Sequence, residues 1–132
     1  MSFLIDTDIC SAHLKQSPAV TNRFLQYTGR LHISVVTVGE LMTWALRAAA
    51  PPHRLQGIQN LLRDVLVLEI DQGIAEQFGR LRAGLLDIGR PIPEMDLWIA
   101  ATAITRRLAV VTHNTKDVAQ IPRLTVFDWL TP

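Results

Sequence analysis

At 132 residues the chain has room for one domain, residues 1–132, and not for two. A chain of this length buries roughly two-thirds of its unfolded surface on folding, and its one cysteine, Cys10, excludes an internal disulfide. Thirteen basic residues against 12 acidic ones leave a net charge of +1, short of the basic excess of strong nucleic-acid binders, so the distribution of charge matters more than its sum.

No apolar run approaches the roughly 20 residues of a membrane helix, and no basic segment followed by an apolar leader opens the chain. The expectation is a cytoplasmic protein of a reducing compartment. Hydrophobic residues make up 48% of the chain, rich for a lone monomer, so some apolar surface is expected to meet a partner.

In chain order, short apolar runs alternate with helical periodicity. Phe3-Leu4-Ile5 reads as a strand stopped by Asp6, Thr7 and Asp8, any of which can cap a first helix. Leu31 to Val36 reads as a second strand, and Thr37 opens a helix running to about Ala49. Pro51-Pro52 break the chain and start another helix that ends near Asp64. Val65 to Leu68 is a third strand, and Asp71 caps a helix from Gln72 to Ile88. Gly89, Pro91 and Pro93 mark a turn before a helix from Glu94 to about Arg107. Leu108 to Thr112 is a fourth, buried strand, and Thr125-Val126-Phe127 a short fifth. Such alternation predicts an α/β fold: a mainly parallel sheet of about five strands with helices on both faces. Ligands of such sheets bind beyond the carboxyl ends of the strands.

The acids gather where that rule points. Asp6 and Asp8 follow the first strand, Glu40 lies early in the helix after the second, Asp96 opens the helix leading to the fourth, and Asn114 and Asp117 follow the fourth. Two carboxylates about 4 Å apart repel by roughly 1 kcal/mol in water and about 4 kcal/mol near a protein surface. A divalent cation offsets that repulsion, and hard oxygen ligands suit Mg²⁺ or Mn²⁺. Cations so held support phosphodiester cleavage by an activated water.

Each acid also has a plainer role. Asp6 or its neighbours can cap a helix, and Thr37-Val38-Gly39-Glu40 matches a capping box in which Glu40 only closes its own helix. Asp96 is stabilised by a helix dipole without any ligand, and Asp117 is a solvated acid beside Lys116. Singly, capping accounts for each; together at one sheet edge, they favour a metal site. Glu40, Thr43 and Arg47 share a polar stripe, which brings Arg47 toward a substrate phosphate unless it is simply a solvated arginine in a last turn. Lys116, Arg82 and Arg90 are further candidates for substrate contacts. The four histidines, His13, His32, His53 and His113, share no metal-ligand spacing and read as surface or loop residues.

Four segments carry a resemblance. Ile5-Asp6-Thr7-Asp8, Ser34 to Leu41, Asp96 to Ala101 and Val111-Thr112-His113-Asn114-Thr115 are similar to PIN-domain motifs, in particular those of the VapC-type ribonuclease toxins of bacterial toxin–antitoxin pairs. The likeness runs nearly end to end, through Ile121-Pro122-Arg123-Leu124 and Asp128-Trp129. It implies a three-layer PIN-like fold, Mg²⁺- or Mn²⁺-dependent endonuclease activity on RNA, a cognate antitoxin, and a homodimer or toxin–antitoxin hetero-oligomer. By position, Asp6, Glu40 and Asp96 match the three core acids, and Thr112 matches a small hydroxyl residue that orients them. The fourth acidic position falls on Asn114, which leaves Asp117 or Asp8 to compensate. Asp8 stands where many relatives carry an amide.

Two other readings compete. Asp6-Thr7-Asp8 after a strand also resembles the first motif of haloacid-dehalogenase-type phosphohydrolases, but that class needs a later lysine and paired acids, and the chain has only Lys15 and Lys116. A non-catalytic PIN-like binding module draws on Asn114 alone, and retention of three repelling acids argues against it. For partners, Met42, Trp44, Leu46, Leu55, Ile58, Leu61 and Leu62 exceed one narrow stripe, so they meet a partner chain or form a broadly buried pair of helices.

Overall fold

The computed structural model describes residues 1–131. In chain order the elements are β1 (Phe3–Ile5), α1 (Thr7–Leu14), α2 (Pro18–Gln26), β2 (Leu31–Ser34), α3 (Val35–Leu46), α4 (His53–Asp64), β3 (Leu66–Leu68), α5 (Gln72–Asp87), α6 (Glu94–Arg106), β4 (Ala109–Val111), α7 (Thr115–Val118) and β5 (Val126–Phe127). The five strands form one sheet in the order β3-β2-β1-β4-β5. All four pairings are parallel, so the sheet expected to be mainly parallel is wholly so.

Strand pleating sends successive side chains to opposite faces, and β1 shows it within three residues. Phe3 and Ile5 join Ile9, Cys10, Val20, Phe24, Leu41, Ile58 and Leu61 from α1 to α4 on one face. Leu4 packs the other way, with Val110 of β4 and Ile99 and Ala103 of α6. On that second side Phe78 of α5 stacks on Trp98 of α6, with ring centroids 3.9 Å apart. The result is three layers: α1 to α4, the sheet, then α5 and α6. Near the C-terminus Trp129 is buried against Phe3, Phe24 and Tyr27, tying the chain's end back to β1. Each such aromatic contributes about 1.5–3 kcal/mol by burial.

The sheet order makes the topology. From β1 the chain moves outward through β2 to β3, then returns to build β4 and β5 on the other side. The reversal falls between β1 and β4, and a crevice opens at the carboxyl ends of strands at such a switch point.

Some boundaries differ from expectation. Val35 and Val36 were expected in the second strand, but they form the first turn of α3, because Ser34 Oγ accepts the Val36 N–H at 3.1 Å and caps the helix there. β-branched residues in a first turn look like strand. The same helix ends at Leu46 rather than Ala49, and Arg47 turns extended (φ −62°, ψ 148°). Two helices went unread in the sequence: α2, although Ser17 and Pro18 mark its start and Val20 and Phe24 stand one turn apart on its buried face, and the four-residue α7. The cap at Asp71 is as expected, its Oδ1 accepting the Ile74 N–H at 2.9 Å.

Most of the apolar excess on α3 and α4 belongs to the core. Ile58 and Leu61 are buried, Met42, Trp44, Leu55 and Leu62 are half-buried against them, and Leu46 alone of the set is largely exposed, at 66%. No helix among the described residues is long and apolar enough to cross a membrane.

Candidate active site

Asp6 directly follows β1, and its backbone N–H still donates to Val111 O of β4 at 2.9 Å. The sheet ladder therefore fixes the residue at the switch point. Its side chain is held at both oxygens: Oδ1 accepts the Thr7 N–H at 2.8 Å as the cap of α1, and Oδ2 accepts the Thr112 hydroxyl at 3.0 Å. Capping and placement in the crevice, which the sequence set against one another, coexist in this residue.

Glu40 departs from its plainer reading. With Ser34 as the cap, Thr37 lies inside α3 and Glu40 is in its second turn, too deep to close a capping box. Its Oε1 instead accepts the Thr7 hydroxyl at 2.6 Å, and Thr7 Oγ1 also lies 3.4 Å from the buried Thr37 Oγ1. Thr7 thus links the first acid to the second. Sequence reasoning passed over it, since its partner lies 33 residues on and nothing local marks the contact.

Asp96 lies in the first turn of α6, as expected, and Pro93 at the cap position makes no side-chain bond. Burial, then Asp117, Glu40 and Asp8, hold its carboxyl above the usual range. Asp6 is pushed up to about 6, chiefly by burial and next by Asp8, with hydrogen bonds from Thr7 and Thr112 opposing and Asp96 adding to the rise. Five acids therefore feel one another across segments far apart in the chain. Beneath them Cys10 is fully buried, and burial with the charges of Asp6 and Asp8 keeps its thiol protonated.

An open cleft of about 360 Å³ is lined by Asp6, Thr7, Asp8, Glu40, Met95, Asp96 and Asn114. A larger hollow of about 620 Å³ lies at the opposite, amino-terminal ends of β2 and β3, lined by Leu31, Val65 and Leu66 among others, away from the acids. Size does not decide between the two; chemistry does, because only the smaller cleft concentrates ionisable oxygens.

Of the residues singled out from the sequence, the fold brings Asp6, Glu40, Asp96 and Asn114 into the cleft, with Thr112 bonded to Asp6 behind it. Asp117 stands close enough to raise Asp96 but does not line the cleft. Arg47 and Lys116 are exposed and are not among its lining residues. His13 and His32, expected at the surface or in loops, are in α1 and β2, and the half-buried His13 ring stacks on Phe24 at 4.0 Å. His113 lies beside the site, its Nδ1 3.0 Å from Asp128 Oδ2.

The donor set suits a hard divalent cation: carboxylates and an amide oxygen, with two of the acids raised by burial and mutual repulsion that a cation would relieve. Among the described residues, no three His, Cys, Asp or Glu side chains stand close enough together to hold a metal ion between them. Asp6, Asp8, Glu40 and Asp96 are the acids that line the cleft.

Comparison with known proteins agrees with this geometry. The model of the PIN domain matches residues 3–124. A tRNA(fMet)-specific endonuclease VapC of Shigella flexneri is 35% identical over 130 residues, covering 98% of each chain. Its counterpart in Salmonella typhimurium is 33% identical over the same share. Among solved structures, the DNA-bound VapBC complex of Salmonella typhimurium superposes with a TM-score of 0.91 at 33% identity and 98% coverage of both chains. VapBC-1 of nontypeable Haemophilus influenzae follows at 0.85 and 28% identity, over 98% of this chain and 99% of that one. With the family model spanning β1 to β4 and every acid at the cleft, and relatives above 30% identity matched almost end to end, the chain belongs to the PIN-domain family, among its VapC-type ribonuclease toxins.

Proposed function

We propose that the chain is a Mg²⁺- or Mn²⁺-dependent endoribonuclease that cuts RNA at the cleft formed by Asp6, Glu40 and Asp96. The observation that carries this reading is the convergence of those acids, from three separated segments, on the switch point of a parallel sheet. A divalent cation bound there supplies Lewis-acid charge and lowers the pKa of attacking water.

The chain's own residues do the positioning. Thr112 and the Thr7 N–H fix the two oxygens of Asp6, and the Thr7 hydroxyl fixes Glu40, so neither carboxylate must reorganise when substrate arrives. Asn114 lines the cleft where the family's fourth acid is expected, and Asp117, coupled to Asp96, supplies negative charge from behind it. Arg47 and Lys116, exposed and outside the cleft lining, are the candidates for contacts with more distant phosphates. Similarity to tRNA(fMet)-specific endonucleases makes a tRNA the first substrate to try. Similarity to toxin–antitoxin complexes supports a cognate antitoxin as partner and a hetero-oligomer as the resting form. A basic antitoxin side chain entering the acidic cleft would inhibit it by charge pairing.

The test is cleavage of labelled tRNA and single-stranded RNA by the antitoxin-free protein in Mg²⁺, Mn²⁺ or EDTA, with Asp96→Asn alongside. Metal-dependent cleavage that Asp96→Asn abolishes supports the proposal. Cleavage equal in EDTA, or a fully active Asp96→Asn, removes the site assignment. Antitoxin binding without cleavage in any metal favours a binding module.

A further inference from the structure

Asp8 takes no part in the scheme above, yet it holds more backbone than any other acid at the cleft. Its Oδ2 lies 3.0 Å from His113 N and 3.2 Å from Asn114 N, and so accepts two consecutive backbone N–H groups from the loop after β4. Thr112 Oγ1 is 3.4 Å away, but its single proton has a shorter partner in Asp6 Oδ2 at 3.0 Å. The Asn114 N–H is shared with Thr112 Oγ1, also at 3.2 Å. Successive amides aimed at one oxygen form an anion-binding nest, and here the anion is built into the chain. The other oxygen, Oδ1, is shut off from solvent and has no partner. Asp8 therefore commits its bonded oxygen to the loop after β4, while its other oxygen is enclosed.

The same loop is held from outside. His113 Nδ1 lies 3.0 Å from Asp128 Oδ2, and Asp128 accepts the Leu130 N–H at 2.9 Å and the Thr131 hydroxyl at 2.6 Å. Both ties act at His113 and Asn114, where the segment begins that carries Asn114 into the cleft and Asp117 toward Asp96.

We propose that Asp8 is a positioning residue for the nuclease reaction. Through its bonds to His113 and Asn114 it fixes the loop that presents Asn114 and Asp117. The inference rests on the nuclease reading given above. It follows from bonds to the loop rather than from charge. The charge of Asp8 works against its neighbours, opposing ionisation of Asp6 and Asp96, so an oxygen acceptor without charge should serve as well.

Asp8→Asn keeps such an acceptor, and Asp8→Ala removes it. Both are compared with wild type by amide hydrogen exchange of residues 113–117 in metal-free protein, and by kcat and KM for RNA cleavage. Asp8→Ala is expected to speed exchange at His113 and Asn114 about ten-fold or more. It should lower kcat by about 10²-fold with little change in KM, as for a catalytic group displaced by about 1 Å. Asp8→Asn is expected to exchange like wild type and retain most of its kcat. If Asp8→Asn is inactive while its loop exchanges as in wild type, charge is what matters and the proposal falls. It falls equally if Asp8→Ala leaves both exchange and kcat unchanged. Should Asp8→Ala not fold, Asp8→Asn decides alone by the same two readouts. A wild-type protein that cuts no RNA would sink the nuclease reading, while the exchange data would still decide whether Asp8 holds the loop.

Discussion

Asp6 shows how one residue serves folding and chemistry at opposite preferences. Its carboxyl is raised from 3.8 to about 6, first by burial and then by Asp8, so the folded state binds a proton more tightly than the unfolded chain does. Stability contributed by this group is therefore present below pH 3.8 and lost as pH rises through 6, a difference on the order of 2–3 kcal/mol. Asp6→Asn keeps an oxygen for the Thr7 N–H and removes the charge. In EDTA it should melt higher than wild type, and the gap should widen between pH 5 and pH 8 in paired thermal melts. The same variant should lose RNA cleavage by about 10²-fold or more. A flat difference across that pH range would mean that Asp6 is not the group under strain. At this scale the sequence marked acids that the fold gathers at one cleft, but the hydroxyls that bond to them were half hidden. Thr112 was visible through family likeness, whereas Thr7 acts across 33 residues on Glu40.

At the scale of elements, most errors were of register. The run Leu31 to Val36 has one hydrophobic pattern throughout, yet the strand ends where Ser34 turns to cap α3. That shift moves Glu40 from the cap region to the second turn and frees its carboxylate for Thr7. α2 escaped notice although Ser17-Pro18 is a helix start and Val20 and Phe24 lie one turn apart, because its buried face is short. The far end of the fold offers a control. Asp71 caps α5 and pairs with Arg106 at the end of α6, remote from the acids. Asp71→Ala should lower stability by about 1 kcal/mol through loss of the cap. Urea denaturation would report that loss while kcat for RNA stays at the wild-type value. A large fall in kcat would show that the α5–α6 layer communicates with the cleft.

For the whole molecule, the acidic cluster is a cost that a ligand can offset. Asp6 and Asp96 are both held above their usual range, first by burial and then by neighbours of the same sign. A cation that binds only the folded state should raise the melting temperature progressively with concentration. At a hundred times its Kd the gain is about 2.7 kcal/mol. Mn²⁺ and Mg²⁺ titrations by thermal melting should show this rise in wild type, and Asp6→Asn and Asp96→Asn should blunt it. No rise up to millimolar Mn²⁺ would count against a cation site at these acids.

By itself the sequence determined the class of fold and the acids to watch. Alternating buried strands and amphipathic helices admit few arrangements, and in a parallel sheet the residues after each strand must share an edge. It also marked Asp6 and Asp96, because each sits at a boundary that local pattern reveals. Only the tertiary structure decided which oxygens are free and which are occupied. The bonds of Thr7 to Glu40, Thr112 to Asp6 and Asp8 to His113 and Asn114 join segments 33 to 106 residues apart. Such contacts leave no trace in local periodicity, because they exist only once the chain reverses at β1 and brings the ends of β1, β2 and β4 together.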